Sequence, residues 1–326
     1  MPSVKLPNYL AYRTTVKRLL ATSGLWPRKK NHFWYYLLPI IPLSLSIFTC
    51  LITGGFIRKH INNLNRVITG GNAFLSMLSN IFKILAVIVN RKDIEKLHEL
   101  LDTQIFPLLY DSHISEILLN KFKAFGILTK TLSFSMYYMC LLYVTRPFVS
   151  IFLQHRHHVQ KIRYSLVMPG VYPFTILPNG YLYKFLYALE SISAVWGFST
   201  SCGIDLLFNL YIFQMVSQFR DMSHRITQID VKKDCNKIVQ ECVTKHEILL
   251  ECRNILEKVY GPIIMWTVLV NGANICTQMV QISKFSDMTP LKVNYATTYI
   301  SYKLLQTLVY AWGGSQLTEA SENYDA

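Results

Sequence analysis

The chain has 326 residues, of which 51% are apolar and 13% aromatic, with a formal net charge of +14. Only 16% of the residues are charged, whereas about 25% is typical of soluble globular domains. This composition argues against an ordinary soluble protein and favours an integral membrane protein.

Six apolar segments are long enough to cross a bilayer, since about 20 helical residues span roughly 30 Å of hydrocarbon. The sequence therefore predicts an all-α fold, a polytopic membrane helical bundle in one transmembrane domain. In chain order, the predicted spans lie near residues 33–53, 72–89, 125–149, 181–216, 259–282 and 293–312, the last ending before a double glycine.

The distribution of lysine and arginine predicts a cytoplasmic N-terminus. Twenty of these residues lie in the N-terminal segment and the second and fourth loops, against eight in the first, third and fifth loops. Cytoplasmic loops carry the excess of positive charge. Most of the basic charge would then face anionic lipid of the bilayer, and we expect no nucleic-acid partner.

Two of the cytoplasmic segments carry apolar residues at helical spacing. Residues 91–124 and 217–258 are therefore predicted to be cytoplasmic helical extensions. Their apolar stripes could pack against each other or a neighbouring subunit, or the helices could simply be solvated. Residues 150–180 are rich in proline, glycine and aromatics, which favours an ordered extracellular lid loop.

No motif in the sequence indicates catalysis. A nucleophile elbow, a phosphate-binding glycine loop and an HExxH pair are all missing from the sequence. We therefore expect neither an enzyme nor a bound cofactor or metal.

Four ionisable residues lie deep in the predicted spans, namely Lys83, Glu190, Asp205 and Lys303. Each costs about 2.5–3.5 kcal/mol at mid-bilayer unless it is compensated. Glu190 or Asp205 could couple ions in a membrane transporter. Alternatively, Lys83 pairs with an acid of another helix, and Glu190 is a polar anchor in a ligand pocket.

Tyrosines recur on single helix faces in the outer halves of the spans. Tyr295, Tyr299 and Tyr302 follow the i, i+4, i+7 rhythm of one face. Such residues could line a pocket for small, weakly polar molecules or form an interfacial aromatic belt. From depth and helix face, the candidate pocket residues are Phe74, Met77, Leu78, Tyr137, Leu141, Tyr187, Glu190, Ser191, Met279, Tyr295 and Tyr299.

The end of the chain resembles the conserved segment after the sixth helix of insect odorant receptors. The matching residues are Tyr310, Trp312, Gly314, Leu317 and Ser321, and Ala311 stands where that family usually has cysteine. The segment beginning "KHEILLECRNILEKVYGPIIMW", the "YPF" of the third loop and the expected cytoplasmic N-terminus are similar as well.

The resemblance implies an odorant receptor subunit in the plasma membrane of a sensory neuron dendrite. Such a subunit binds a volatile small molecule and gates a cation channel, within a heteromeric tetramer that includes an olfactory co-receptor. A gustatory receptor of the same superfamily is the alternative. The family continues into a seventh helix, so the resemblance also leads us to expect a chain truncated before that helix.

Overall fold

The computed structural model describes residues 6–28, 33–110, 112–156, 158, 164–227, 235–284 and 290–325. Within these ranges the regular structure is entirely helical. The helices are α1 (Leu6–Ala21), α2 (Phe33–Leu37), α3 (Ile40–Lys59), α4 (Leu64–Val89), α5 (Arg91–Tyr110), α6 (Ser112–Arg156), α7 (Tyr181–Thr227), α8 (Cys235–Lys284) and α9 (Pro290–Asp325).

Most of the helices extend beyond the segments predicted from hydropathy. The first predicted span is divided into α2 and α3 at Pro39, which caps α3 because proline lacks the N–H that a continuous helix needs. α4 begins at Leu64, where the Asn63 side chain accepts a hydrogen bond from the Arg66 N–H. α9 does not end at the double glycine but continues through it to Asp325.

Within the described residues, five helical segments are long and apolar enough to cross a membrane. They are Phe33–Lys59, Leu64–Val89, Ala124–Arg156, Tyr181–Thr227 and Ile238–Ser283. The sixth predicted span lies in α9, which is long enough but too polar to join this group. The polar residues of α9 include Lys303, Gln306 and several tyrosines, and these side chains are buried in the bundle.

α7 is the central helix of the bundle. It packs against α1, α3, α4, α5, α6, α8 and α9, and every residue from Cys202 to Phe219 is buried. A helix covered on all sides is a core element, whatever its own hydrophobic pattern.

The two predicted extensions pack against each other rather than standing in solvent. Leu97 and Leu101 of α5 are fully buried, as is Leu249 of α8, and α5 contacts both α7 and α8. Ion pairs at the rim, such as Lys258 Nζ to Asp93 Oδ2 at 2.7 Å, join the same two helices. Residues 111 and 228–234 of the predicted extensions lie outside the described residues.

The N-terminal helix, which hydropathy does not reveal, lies along α7. The Tyr12 hydroxyl donates to the Leu206 carbonyl oxygen at 2.7 Å. Nearby, Asp102 of α5 accepts hydrogen bonds from Arg13 and from Gln214 Nε2. The same carboxylate lies 3.2 Å from His98 Nε2, yet burial lowers the pKa of His98 to about 4.

The segment 164–180 folds onto the end of the bundle, here called the loop end. The Val171 N–H donates to the Ile52 carbonyl oxygen at 3.3 Å. Contact at this point is so close that a Cβ at Gly170 would lie 2.2 Å from Ile52 Cγ2. Of the predicted lid loop, residues up to 156 belong to α6, and residues 157 and 159–163 lie outside the described residues.

Candidate functional site

A group of charged and polar side chains is enclosed between α4, α7 and α9, where an apolar bundle would ordinarily hold none. Lys83 Nζ lies 2.5 Å from Asp205 Oδ1, and neither side chain is exposed. Lys83 also donates to Ser201 Oγ at 3.1 Å. We call this group the buried polar cluster, and it consists of Lys83, Ser201, Asp205, Lys303, Gln306 and Tyr310.

The Asp205 carboxylate accepts hydrogen bonds from three donors on two other helices, α4 and α9. Besides Lys83, it accepts from Gln306 Nε2 at 2.6 Å and from the Tyr310 hydroxyl. A buried ion pair offsets the cost of desolvation only when its remaining lone pairs are also bonded. The pairing of Lys83 with an acid of another helix is thus confirmed, with two further donors completing it.

Lys303 has a different environment from Lys83. Its Nζ lies 3.4 Å from Gln306 Oε1 and 5.7 Å from the ring centroids of both Tyr299 and Tyr302. Within the described part of the chain, no carboxylate lies at ion-pair distance from this ammonium group. Cation–π contacts of this kind compensate only part of the lost hydration.

A cavity of about 20 Å³ lies beside the buried polar cluster. Its walls come from α4, α7 and α9, and they combine hydroxyl, amide and ammonium groups with Met77 and Phe198. A water molecule needs roughly 10–15 Å³ of such space, so the cavity takes one or two atoms as it stands. Ser76, Met77, Ser79, Asn80, Gly197, Phe198, Ser201, Tyr302, Lys303 and Gln306 line it.

Aromatic rings lie beside this cavity, and two of them, Phe198 and Tyr302, form part of its wall. Tyr143 contacts Tyr295 edge to face at 5.1 Å and Phe198 at 5.5 Å. Phe198 in turn contacts Tyr302 at 6.3 Å, and the Tyr299 hydroxyl pairs with Ser76 Oγ at 2.8 Å. We call Tyr143, Phe198, Tyr295, Tyr299 and Tyr302 the aromatic cluster.

The predicted pocket residues divide into three groups. Met77, Glu190 and Tyr299 are buried in the bundle. Half-buried positions are held by Phe74, Leu78, Tyr187, Ser191 and Tyr295. The structure places Tyr137, Leu141 and Met279 on the outside, 54%, 57% and 58% exposed, so these three do not line a space between the helices. Depth along the helix did not identify which face points inward, because α6 and α8 are apolar on both faces.

Glu190 is a polar anchor, but for the loop segment and not for the cavity. Its carboxylate accepts from the Met168 N–H at 2.9 Å and from the Tyr172 hydroxyl, while only 2% of the residue is exposed. Glu190 therefore fastens the segment 164–180 to α7 at the loop end.

The residues that carried the family resemblance lie on α9, and two of them contact neighbouring helices. The Tyr310 hydroxyl reaches Asp205, and the Trp312 ring lies 4.4 Å from that of Phe125. Leu317 is partly buried against the core, Ser321 on the next turn is half-buried, and Gly314 is open to its surroundings.

Sequence reasoning missed Ser201, Gln306 and Phe198 as site residues. Gln306 could have been found, because it continues the inward tyrosine face of α9 at helical spacing. Nothing in the local sequence distinguishes Ser201 or Phe198 from the other residues of a long apolar helix.

Long apolar helices around a desolvated ionic cluster define a multi-pass membrane protein. The family model described as "7tm Odorant receptor" matches residues 63–324. That match covers most of the sequence, and the chain belongs to this family.

Two solved structures share the fold. One is the insect olfactory receptor OR5 from Machilis hrabei, with a TM-score of 0.78, and the other is that receptor in complex with eugenol, with a TM-score of 0.79. In both comparisons the identity is 14%, and the alignment covers 97% of this chain and 83% of the other. At this identity the likeness is one of fold. No curated protein matches the sequence.

Proposed function

We propose that this chain is an odorant receptor subunit that binds a volatile small molecule and gates a cation channel together with an olfactory co-receptor. It would act in a heteromeric tetramer in the plasma membrane of a sensory neuron dendrite, with its N-terminus in the cytoplasm. Membership of the odorant receptor family over residues 63–324 carries the proposal.

The aromatic cluster and the cavity below it are the proposed ligand site. Tyrosine rings offer apolar area together with a hydroxyl, which suits weakly polar volatiles. The similar receptor solved with eugenol supports a fold able to admit such a molecule. Because the cavity holds only one or two atoms, a ligand must displace rings of the aromatic cluster. A ligand that binds more tightly to the conformation with displaced rings would shift the gating equilibrium toward that conformation.

The test is the ligand-evoked cation current in cells that express the chain with and without a co-receptor. We expect current only with the co-receptor, and a panel of aromatic and aliphatic volatiles identifies an agonist. Tyr299→Phe removes a hydroxyl inside the site, whereas Tyr137→Phe removes one from the outer surface. Losing one neutral hydrogen bond changes an equilibrium roughly 2- to 10-fold.

The expected result is a shift of that size in the half-maximal agonist concentration for Tyr299→Phe and none for Tyr137→Phe. Met77→Ala should alter the ranking of agonists by size, because it enlarges the cavity wall. Equal responses of all three variants and the parent would contradict a site between α4, α7 and α9.

Two other functions receive less support. The family match favours an odorant receptor over a gustatory receptor. A carboxylate-coupled transporter would need an acid free to exchange ions, but Glu190 holds the loop segment and Asp205 is bonded by three donors.

A further inference from the structure

The cavity beside Lys303 combines two properties that distinguish it from an ordinary packing gap. Most of the side chains that line it are buried, and several of them are hydrogen-bond donors. The question is what chemistry would satisfy them.

The basic side chains of the buried polar cluster outnumber its carboxylates. Lys83 and Lys303 contribute two amino groups, and Asp205 contributes the one carboxylate among the described members of the cluster. Asp205 pairs directly with Lys83, and no carboxylate of the described residues lies at ion-pair distance from Lys303. Protonated Lys303 therefore needs an anion from outside the described part of the chain, because burial otherwise disfavours its charged form. A water molecule in the cavity could accept a hydrogen bond from Lys303 but could not neutralise it.

Further donors face the same space. Ser79 and Tyr302 both line the cavity, and each has a hydroxyl that can donate a hydrogen bond. Asn80 also lines the cavity; its Nδ2 donates to Ser46 Oγ at 2.9 Å, and its buried Oδ1 has no hydrogen-bond partner among the described residues. One ammonium group and two hydroxyls, with no exposed carboxylate, form a donor set that suits an anion.

We propose that this cavity binds a monovalent anion against Lys303, with Ser79 and Tyr302 as additional donors. The volume of about 20 Å³ suits a chloride ion or the two oxygen atoms of a small carboxylate, and it excludes larger oxyanions. Either source supplies the same chemistry, a compact negative charge. An acidic volatile bound at the aromatic cluster would place its carboxylate in this cavity.

The test measures thermal unfolding of the full chain in lipid nanodiscs by tryptophan fluorescence. Sodium chloride or sodium butyrate is titrated against the bulky sulfonate of sodium HEPES at constant ionic strength. Lys303→Gln removes the charge at the cavity, and Lys130→Gln is the matched control, since Lys130 is exposed on α6. This assay needs neither current nor co-receptor, so its outcome is separate from that of the proposed function.

The expected result is a saturable rise in Tm with the anion for the parent chain and for Lys130→Gln. Lys303→Gln should need at least about tenfold more anion, as expected for loss of a charge-assisted hydrogen bond. A response to chloride alone identifies an inorganic site, and tighter binding of butyrate identifies the head group of an acidic ligand. No anion dependence in the parent, or equal dependence in Lys303→Gln, overturns the proposal.

If Lys303→Gln does not fold, a second variant tests whether the anion binds in the cavity. Ser79→Leu keeps Lys303 and the ion pair but fills the cavity with an apolar side chain. We expect it to abolish the anion response. A full anion response in Ser79→Leu would overturn the proposal by itself.

Discussion

Asp205→Asn is expected to destabilise the bundle more than any conservative surface substitution. The change leaves Lys83 with no counter-ion at 0% exposure, and it leaves an amide in place of a carboxylate that accepts from three donors. Removing one partner of a buried ion pair costs about 3–5 kcal/mol. At roughly 2–4 °C per kcal/mol, the loss in Tm is on the order of 10 °C.

The assay is thermal unfolding in nanodiscs, with Asp93→Asn as the matched control. Asp93 pairs with Lys258 at the exposed rim, where an ion pair contributes about 0–1 kcal/mol. Adding Lys83→Met to Asp205→Asn removes the uncompensated charge and should restore most of the lost stability. An Asp205→Asn variant as stable as Asp93→Asn, or a double variant no more stable than the single one, would refute a buried ion pair of this strength.

Three further predictions concern other parts of the fold. Glu190→Gln leaves one acceptor oxygen for the two donors that now bond to the carboxylate. Amide hydrogen exchange in residues 164–172 should therefore accelerate about tenfold. Unchanged exchange would show that another contact holds the segment. Gly24→Ala should cost at least about 1–2 kcal/mol, because φ is +66° and a Cβ would lie 2.7 Å from the Tyr35 carbonyl oxygen. Gly314→Ala, with open space around it, should gain about 0.5–1 kcal/mol, and equal Tm values for the two variants would refute both. The pKa of His98 is about 4 in the folded chain, against 6.5 ordinarily. As the pH falls, His98 is therefore protonated in the unfolded chain before it is protonated in the folded chain. The free energy of unfolding should fall by roughly 3 kcal/mol from pH 6.5 to pH 4. His98→Gln should remove that part of the pH dependence of Tm, and an unchanged pH profile would contradict it.

Helix-face spacing identified the buried side of α9 but not that of α6, for a physical reason. The face with Tyr299 and Tyr302 on α9 is polar enough to differ from its other sides, and both residues are buried. On α6 the lipid-facing and bundle-facing sides are equally apolar, because lipid tails solvate hydrocarbon as well as a protein interior does. Tyr137 and Leu141 therefore seemed as suitable as Met136 and Tyr143, which are the residues that point inward.

The sequence by itself determined the all-helical membrane class, the approximate positions of the long helices and the family, because hydropathy and a terminal motif are local properties of the chain. It also marked Lys83, Asp205, Glu190 and Lys303 as residues that need compensation. Only the tertiary structure decided which partner each one has. Lys83 and Asp205 are separated by more than a hundred residues, and their contact depends on how α4 and α7 pack, which is a property of the whole bundle and not of either helix.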